Sequence, residues 1–307
     1  MPELPEVETV CRGLNQVTPG RIIVGGEVLL KRTLAYPLSI GDFCAGVEGC
    51  RVQGWYRRGK YLLAALSCGD AFDPNWHPAP GQWVYPGMSW LGVHLRMTGQ
   101  LLWVKREEAL GKHTRVRLFF EDEQELRFVD QRTFGQMWWV PGLTDVTSII
   151  SGLKALGPEP LSPEFSVKYL VEKVRSRHRV IKSALLDQSL IAGLGNIYAD
   201  ESLFLSGIRP NVLCQDLSVE QIQRLHGAII QVLETSIEAG GTTFSNFLNV
   251  QGINGNYGGV AWVYGRTGEG CRVCETPIKR LKLAGRASHF CPQCQRAGAQ
   301  RGRGAEE

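Results

Sequence analysis

Hydrophobic and polar residues alternate along several segments in the first half of the chain, which is the pattern of half-buried strands. In HTRVRLFF (residues 113–120) apolar side chains recur at every second position with arginines between them, as expected when one face of a sheet is buried. The run EDEQ follows as a hairpin turn, and ELRFV returns as the next strand. RIIVGGEVLL, KYLLAAL and LGVHLRM predict further strands, so residues 20–150 are predicted to form a β-sandwich-like domain.

Helical periodicity opens the chain and returns in its second half. A leading helix is predicted to bury a face formed by Val7, Val10, Cys11, Leu14 and Val17. The segment SVEQIQRLHGAIIQVLETSIEAGG has apolar residues at helical spacing, a capping box at its start and a glycine pair at its end. It is predicted to be a core helix.

A glycine-containing turn is predicted between two helices in LLDQSLIAGLGNIYADESLFLSGIRP. We expect the first helix to end over residues 183–188 and the second to cover residues 197–206. The glycines let backbone N–H groups at the second helix approach an anion. Asn196 is placed to cap that helix or to bind a phosphate. From composition alone, this unit is either a plain helical hairpin or a DNA clamp.

Composition and charge narrow the class of protein. The 307 residues are 43% hydrophobic and 21% charged, which is typical of a globular chain. Neither a long apolar run nor a secretory leader is visible, so a cytoplasmic protein is expected. The net charge is +4, and the segment KVRSRHRVIK combines basic residues with no acid. Such clustering favours a polyanionic partner.

Four of the nine cysteines have a regular spacing. Cys271 and Cys274 form one C-x2-C pair, and Cys291 and Cys294 form another. This spacing is typical of a structural zinc site with four thiolate ligands. The residues between the two pairs predict a β-hairpin with a turn at Ala284-Gly285 and several cations. The other five cysteines are scattered, as expected in a reducing compartment.

Two remaining segments have no chemistry assigned to them. Residues 69–90, rich in proline and tryptophan, are predicted to form a surface loop held by its own aromatic side chains. The tail, residues 295–307, is predicted to be disordered.

The motifs occur in one order along almost the whole chain: PELPEVE, RRGKYLL, HLRMTG, DQRTFGQ, LGPEPL, GLGNIYADESLF, GGTTFSNFL and VYGRTGEGCRVC…CPQC. In this order they resemble formamidopyrimidine-DNA glycosylase, a bacterial enzyme that removes oxidised purines from DNA. The resemblance implies an α+β chain with a catalytic β-rich domain over residues 1–150. A helix–two-turn–helix domain over 151–262 and a zinc-finger hairpin over 263–294 would follow. It also implies damaged duplex DNA as the partner, one structural Zn²⁺, a monomer and a place at the nucleoid.

The resemblance assigns catalysis to the amino terminus. Removal of Met1 would make Pro2 a free secondary amine, which is far more often neutral near pH 7 than a lysine. Its attack on a sugar C1′ would give an iminium that supports base release and then β- and δ-elimination. Glu3 would act as general acid and base, Glu6 would orient the helix start, and Lys60 would bind the phosphate beside the damaged nucleotide.

The resemblance also assigns DNA contacts. A base must leave the duplex to be cut out, and Met97, Arg132 and Phe134 match the family's inserted triad. Such apolar side chains enter between base steps and kink the duplex. Asn196 and Arg286 match the phosphate contacts of the helical and zinc modules.

Two positions depart from the family's pattern. Thr133 stands where many members have a second arginine, and Ile253 stands where many have a lysine in the lid loop. The second departure bears on 8-oxoguanine, so formamidopyrimidines and abasic sites are the firmer substrate predictions. The alternatives are an endonuclease VIII-like glycosylase for oxidised pyrimidines, a catalytically silent protein that binds damaged DNA, and an RNA-binding zinc protein. PELPEVE and intact Pro2, Glu3 and Lys60 favour the oxidised-purine enzyme.

Overall fold

The chain divides into two compact units in the computed structural model. The N-terminal unit comprises Met1–Ala155 with Ser236–Gly258, and the second unit comprises Leu156–Thr235 with Gly259–Glu307. The structure describes residues 1–68, 73, 75–79, 82–242, 250–252, 255 and 259–296. Ile253, part of the segment 69–90 and the tail from residue 297 lie outside the described residues.

The N-terminal unit contains most of the strands. Its strands are β1 (Ile23–Val28), β2 (Leu34–Tyr36), β3 (Arg51–Arg58), β4 (Tyr61–Ser67), β5 (Met88–His94), β6 (Gly99–Lys105), β7 (Thr114–Phe120), β8 (Gln124–Asp130) and β9 (Gln136–Val140). Its helices are α1 (Leu4–Val17), α2 (Ile40–Val47), α3 (Val146–Ile149) and α4 (Ser151–Lys154).

Within the described residues, these strands form two sheets. One has the order β1-β7-β8-β6 and the other the order β2-β9-β5-β4-β3, in which only the β2–β9 pair is parallel. Apolar side chains of both sheets, such as Val116 and Leu62, share one buried core with α1. The predicted β-sandwich is therefore confirmed, and β7 alternates between buried and half-buried residues as its pattern predicts.

The leading helix forms as predicted, whereas the predicted surface loop over residues 69–90 is wrong at its end: residues 88–90 belong to β5, where Trp90 is 1% exposed. The predicted inner face of α1 is buried except at Val17, which is half-buried at the last turn. In the aromatic segment, Trp76 packs edge-on against Tyr85 at a centroid distance of 5.0 Å, and Trp83 packs against Trp90 of β5 at 5.2 Å. The described aromatics of this segment therefore contact β5 as well as one another.

The second unit is mainly helical. Its helices are α5 (Val167–Arg175), α6 (Ile181–Leu185), α7 (Asn196–Leu205) and α8 (Val219–Glu238), of which the last extends beyond this unit's residues. The predicted capping box of α8 is confirmed: Ser218 N–H donates to Gln221 at 2.9 Å, and Gln221 N–H donates to the Ser218 hydroxyl at 3.2 Å. The helix predicted to end over 183–188 ends earlier, at Leu185. No helix among the described residues is long and apolar enough to cross a membrane.

The predicted hairpin near the end of the chain is confirmed. Strands β10 (Lys279–Leu283) and β11 (Arg286–Phe290) pair antiparallel. Ala284 and Gly285 connect them with φ angles of 46° and 79°, the left-handed conformation that two-residue hairpin turns require at both positions.

Candidate functional site

Two buried glutamates shape the start of α1. Glu3 and Glu6 are each 2% exposed. Glu6 Oε2 accepts a hydrogen bond from the Glu3 N–H at 2.7 Å and so closes a capping box. Glu6 Oε1 accepts from the backbone N–H and the hydroxyl of Thr242, at 2.9 and 3.2 Å. Both oxygens of Glu6 are therefore held, which fixes the direction in which the first residues leave the helix.

The glycine pair of the GGTTFSNFL motif lies beside this carboxylate. Gly241 has a φ of 79°, and a Cβ at this position would lie 3.0 Å from Glu6 Oε1. A side chain there would meet both backbone strain and the carboxylate. The close approach of residue 241 to Glu6 is the physical reason for a glycine at this position.

Charged side chains from three parts of the N-terminal unit surround the amino terminus. Burial lowers the pKa of the terminal amine, and the positive charges of Lys60 and Arg132 lower that pKa further, whereas Glu3 and Glu6 raise it. Lys60 is itself only 7% exposed and follows Gly59, whose φ is 57°, in the β3–β4 turn. The structure thus brings together the predicted catalytic end of the chain, both glutamates, Lys60 and Arg132.

Two loops carry the side chains predicted to enter DNA. We name them the Met97 tip (residues 95–98) and the Phe134 tip (residues 131–135). Phe134 is 52% exposed, Met97 is half-buried, and the Arg132 guanidinium lies over the Phe134 ring at 5.0 Å. Neither apolar residue belongs to the core. An open pocket of about 400 Å³ is lined by Met1, Arg96, Met97, Phe134 and Gln136.

His94, a residue that the sequence analysis missed, pairs in the sheet with Gln136, which lines this pocket. It is 7% exposed, and burial, with the charges of Arg96 and Lys60, lowers its pKa to about 3. The Arg96 N–H donates to His94 Nδ1 at 3.0 Å, so the neutral ring carries its proton on Nε2. The HLRMTG motif contains this histidine, and its place three residues before Met97 was the available signal.

Asn196, predicted either to cap α7 or to bind a phosphate, is the first residue of the helix and not its cap. Gly195 occupies the N-cap position in extended backbone conformation. Asn196 Oδ1 is buried and has no hydrogen-bond partner among the described residues. Oδ1 is an acceptor and cannot bond a phosphate oxygen, so a phosphate at this end would be bound by the Nδ2 group of Asn196 and by backbone N–H groups of the first turn of α7.

A buried ionic network, also missed by the sequence analysis, joins α6, α7 and β11. Lys182 Nζ donates to Asp200 Oδ1 at 2.6 Å and to the Ala287 carbonyl at 2.8 Å. Asp200 Oδ2 accepts from the His289 N–H at 2.9 Å. Buried charges are tolerated when they are paired in this way.

Arg286 precedes Ala287 and is exposed at the start of β11. The other strand of the hairpin carries the exposed cations Lys279, Arg280 and Lys282.

The four spaced cysteines meet in one cluster. Among the described residues, the sulfur atoms of Cys271, Cys274, Cys291 and Cys294 lie within 4.8 Å of one another. The Cys274–Cys291 and Cys271–Cys294 sulfur distances are 3.5 and 3.8 Å. Four thiolates at about 2.3 Å from one ion in a tetrahedron are about 3.8 Å apart. The cluster therefore fits a structural zinc ion.

The cysteine cluster is anchored to α7 by neighbours that its spacing does not reveal. Gln295 is fully buried, so the prediction that the disordered tail begins at residue 295 is wrong at this residue. Its side chain accepts from the Cys291 N–H and donates to the Ile208 carbonyl, both at 2.8 Å. Phe204 of α7 packs with Val263 and two of the cysteines in one apolar cluster. The hairpin thus shares its small core with the helical part of the unit.

Three family models match consecutive parts of the chain. The formamidopyrimidine-DNA glycosylase N-terminal domain matches residues 1–137, and the H2TH domain of the same family matches residues 156–247. A zinc finger found in FPG and IleRS matches residues 268–297. A β-rich domain, an H2TH domain and a terminal zinc finger together define the Fpg architecture.

Curated relatives match over nearly the full length. The formamidopyrimidine-DNA glycosylase of Nostoc sp. (strain PCC 7120) is 64% identical over 96% of this chain and all of that protein. The same-named protein of Nostoc punctiforme is 65% identical, with 96% of each chain covered. The chain therefore belongs to the formamidopyrimidine-DNA glycosylase family.

Solved structures of similar fold contain DNA. Lactococcus lactis Fpg with N7-benzyl-Fapy-dG DNA is 34% identical, with a TM-score of 0.83 and coverage of 96% of this chain and all of that one. The L. lactis complex with abasic-site DNA and the complex of MutM with carbocyclic 8-oxo-G DNA each have a TM-score of 0.82, at 33% and 34% identity and the same coverage. The predicted family and fold are confirmed. The roles of the individual site residues remain predictions.

Proposed function

We propose that this chain is a base-excision-repair DNA glycosylase that removes oxidised purines and then cleaves the strand as an AP lyase. The observation that carries the proposal is the position of the amino terminus, half-buried among two glutamates, Lys60 and Arg132. The substrate class is taken from the family and from solved relatives whose DNA contains Fapy-dG, 8-oxo-G or an abasic site.

Base removal starts from the amine of Pro2, once Met1 has been removed. Burial lowers the pKa of the amine of Met1 in the full chain, against the opposing charges of Glu3 and Glu6. Burial of the Pro2 amine at the same end of the chain would likewise favour its neutral, nucleophilic form. The amine attacks C1′ and loses its proton, the C1′–N bond to the base breaks, and the base leaves with the bonding electrons and takes up a proton. The C1′–O4′ bond then breaks, O4′ takes up a proton, and the nitrogen lone pair forms the iminium. Glu3, buried beside the terminus, supplies and withdraws protons at the sugar and the base. Glu6 is the positioning residue for both.

Strand cleavage follows from the iminium that joins Pro2 to C1′. Its positive nitrogen withdraws electrons, so a C2′ proton is lost and the 3′ phosphate leaves in β-elimination. A second elimination, in which a C4′ proton is lost, releases the 5′ phosphate, and water then frees Pro2 by hydrolysis of the iminium. Lys60 holds a phosphate beside the reacting sugar, where its charge also contributes to lowering the pKa of the terminal amine.

Base flipping is the task of the two tips. Met97 and Phe134 line one exposed pocket and fill the space that the flipped nucleotide leaves, as apolar wedges do in other kinked DNA complexes. Arg132, which lies over Phe134, faces the orphaned base. This use explains why two apolar side chains are kept outside the core.

The second unit contributes phosphate contacts. Asn196 at the start of α7 and Arg286 at the start of β11 are the proposed ligands, and the zinc site keeps the hairpin folded. Because the proposed residues all come from one chain, we propose that the protein acts as a monomer. Its substrate is DNA, so we place it in the cytoplasm at the nucleoid.

Borohydride trapping tests this function, because borohydride reduces the iminium to a stable protein–DNA crosslink. One duplex contains 8-oxoguanine opposite cytosine, a second contains an abasic site, and the Pro2→Gly variant is the control. Crosslinks on both duplexes that map to Pro2 are expected. Trapping at the abasic site alone would retain the lyase and redirect the search to other bases, including oxidised pyrimidines. The absence of trapping on both, with Met1 confirmed absent, would overturn the proposal.

A further inference from the structure

Each of the two tips is formed by a residue in the left-handed region. Arg96, with φ 52°, directly precedes Met97, and Thr133, with φ 56°, directly precedes Phe134. This conformation is uncommon for any residue except glycine and is an outlier for a β-branched residue such as threonine. Such a conformation persists only where contacts with the surrounding structure stabilise it.

A single buried carboxylate links the two tips. Asp130, 1% exposed at the end of β8, accepts a hydrogen bond from the Thr98 hydroxyl through Oδ1. Its Oδ2 accepts from the Gly135 N–H at 2.7 Å. The Thr98 oxygen in turn accepts from the Arg132 N–H at 2.9 Å. One hydroxyl and one carboxylate thus connect the residue after Met97 to both sides of Phe134.

The carboxylate itself has little freedom to move. The Asp130 N–H donates to the His113 carbonyl at 2.9 Å, and its own carbonyl accepts from Arg115 Nε at 2.8 Å. Gly135 is equally confined, since a Cβ there would lie 2.4 Å from the Phe128 ring. The linkage is therefore anchored in the sheet that contains β7 and β8.

We propose that Thr98 and Asp130 are positioning residues that hold the Met97 tip and the Phe134 tip as one rigid wedge. This inference rests on the proposed function. It adds that base flipping requires the Met97 tip and the Phe134 tip to keep a fixed distance and orientation to each other. Neither residue has to touch DNA, because each acts through Met97, Arg132 and Phe134. Loss of the linkage should impair steps that unstack an intact base pair more than steps on a nucleotide that has no base.

Substitutions of Thr98 test the linkage with little change of volume. Thr98→Val keeps the shape but removes both hydrogen bonds, and Thr98→Ser keeps the hydroxyl. Thr147→Val is the matched control, because Thr147 makes a similar hydroxyl–carboxylate contact with Asp145 at 2.6 Å on an exposed helix start. Three quantities are measured for the wild type and each variant. They are the single-turnover rate of 8-oxoguanine excision opposite cytosine, the rate of strand cleavage at an abasic site in the same DNA sequence, and the melting temperature of the protein.

Thr98→Val is expected to slow 8-oxoguanine excision at least about tenfold, the equivalent of one or two lost hydrogen bonds, with a much smaller effect on abasic-site cleavage. Thr98→Ser should restore excision, and Thr147→Val should leave it at the wild-type rate. An equal loss on both substrates, or no rescue by serine, would overturn the proposal. If the wild-type protein cleaves neither duplex, the proposed function fails instead.

Discussion

Lys182 donates a hydrogen bond to Asp200 across 2.6 Å in the interior of the second unit, where the two side chains are 1% and 0% exposed. Through Ala287 and His289 the same pair is bonded to β11. Since α7 begins at Asn196 and β11 begins at Arg286, this ion pair sets the relation between the two elements that carry the proposed phosphate ligands.

Lys182→Met is therefore expected to destabilise the second unit by about 3–5 kcal/mol, because Asp200 would remain buried without its cation. Urea unfolding of the full chain, followed by far-UV circular dichroism, measures the change. Lys173→Met on the exposed face of α5 is the matched control and should cost less than about 0.5 kcal/mol. If Lys182→Met lowers the free energy of unfolding by as little as Lys173→Met does, the ion pair between Lys182 and Asp200 does not stabilise the second unit.

Removal of zinc should weaken DNA binding by at least about tenfold while the N-terminal unit stays folded, because the metal organises only the hairpin and its anchor on α7. The core of the N-terminal unit contains none of the four cysteine ligands. Binding to an abasic-site duplex is followed by fluorescence anisotropy before and after chelation, with the metal content checked by mass spectrometry. If zinc-free protein binds the duplex with unchanged affinity, the hairpin does not contribute to DNA binding as proposed.

Arg286→Ala should weaken binding and reduce the slope of log affinity against log salt by about one unit, as expected for one lost phosphate contact. The measurement is a salt titration of duplex binding with the wild type, the variant and Lys112→Ala, an exposed residue outside the proposed interface. If the slope of Arg286→Ala equals that of the wild type, Arg286 does not contact the DNA backbone.

The sequence predicted those features that local patterns determine. Alternation identified β7, helical spacing identified α1 and α8, and the two C-x2-C pairs identified the cysteine cluster. It missed Asp130 and Lys182, because each acts through partners distant in the chain, and it missed His94, because the motif HLRMTG does not show that this histidine is buried. Lys182 illustrates the difficulty: within KVRSRHRVIK it is one of several basic residues, and only the packing of α6 against α7 and β11 shows that it is buried. The contact of Asp130 with Thr98 likewise depends on the pairing of β6 with β8, which places Gly99 opposite Asp130.

The buried imidazole of His94 should make the stability of the N-terminal unit depend on pH. Its pKa is lowered to about 3 in the folded chain, against about 6.5 in an unfolded chain. Between these values the unfolded state binds one more proton than the folded state, so the free energy of unfolding falls as the pH decreases below about 6.5. The limiting slope for one proton is about 1.4 kcal/mol per pH unit.

His94→Asn should reduce this dependence, because its amide oxygen can accept the Arg96 N–H bond in place of Nδ1 but cannot be protonated in this range. Urea unfolding of both proteins is measured at pH 7.5, which gives the pH-independent cost of the substitution, and then at pH 6.0, 5.0 and 4.5. The wild type should lose stability relative to His94→Asn at each step down. If the difference between the two proteins is constant across this series, the imidazole is not held neutral by burial beside Lys60 and Arg96.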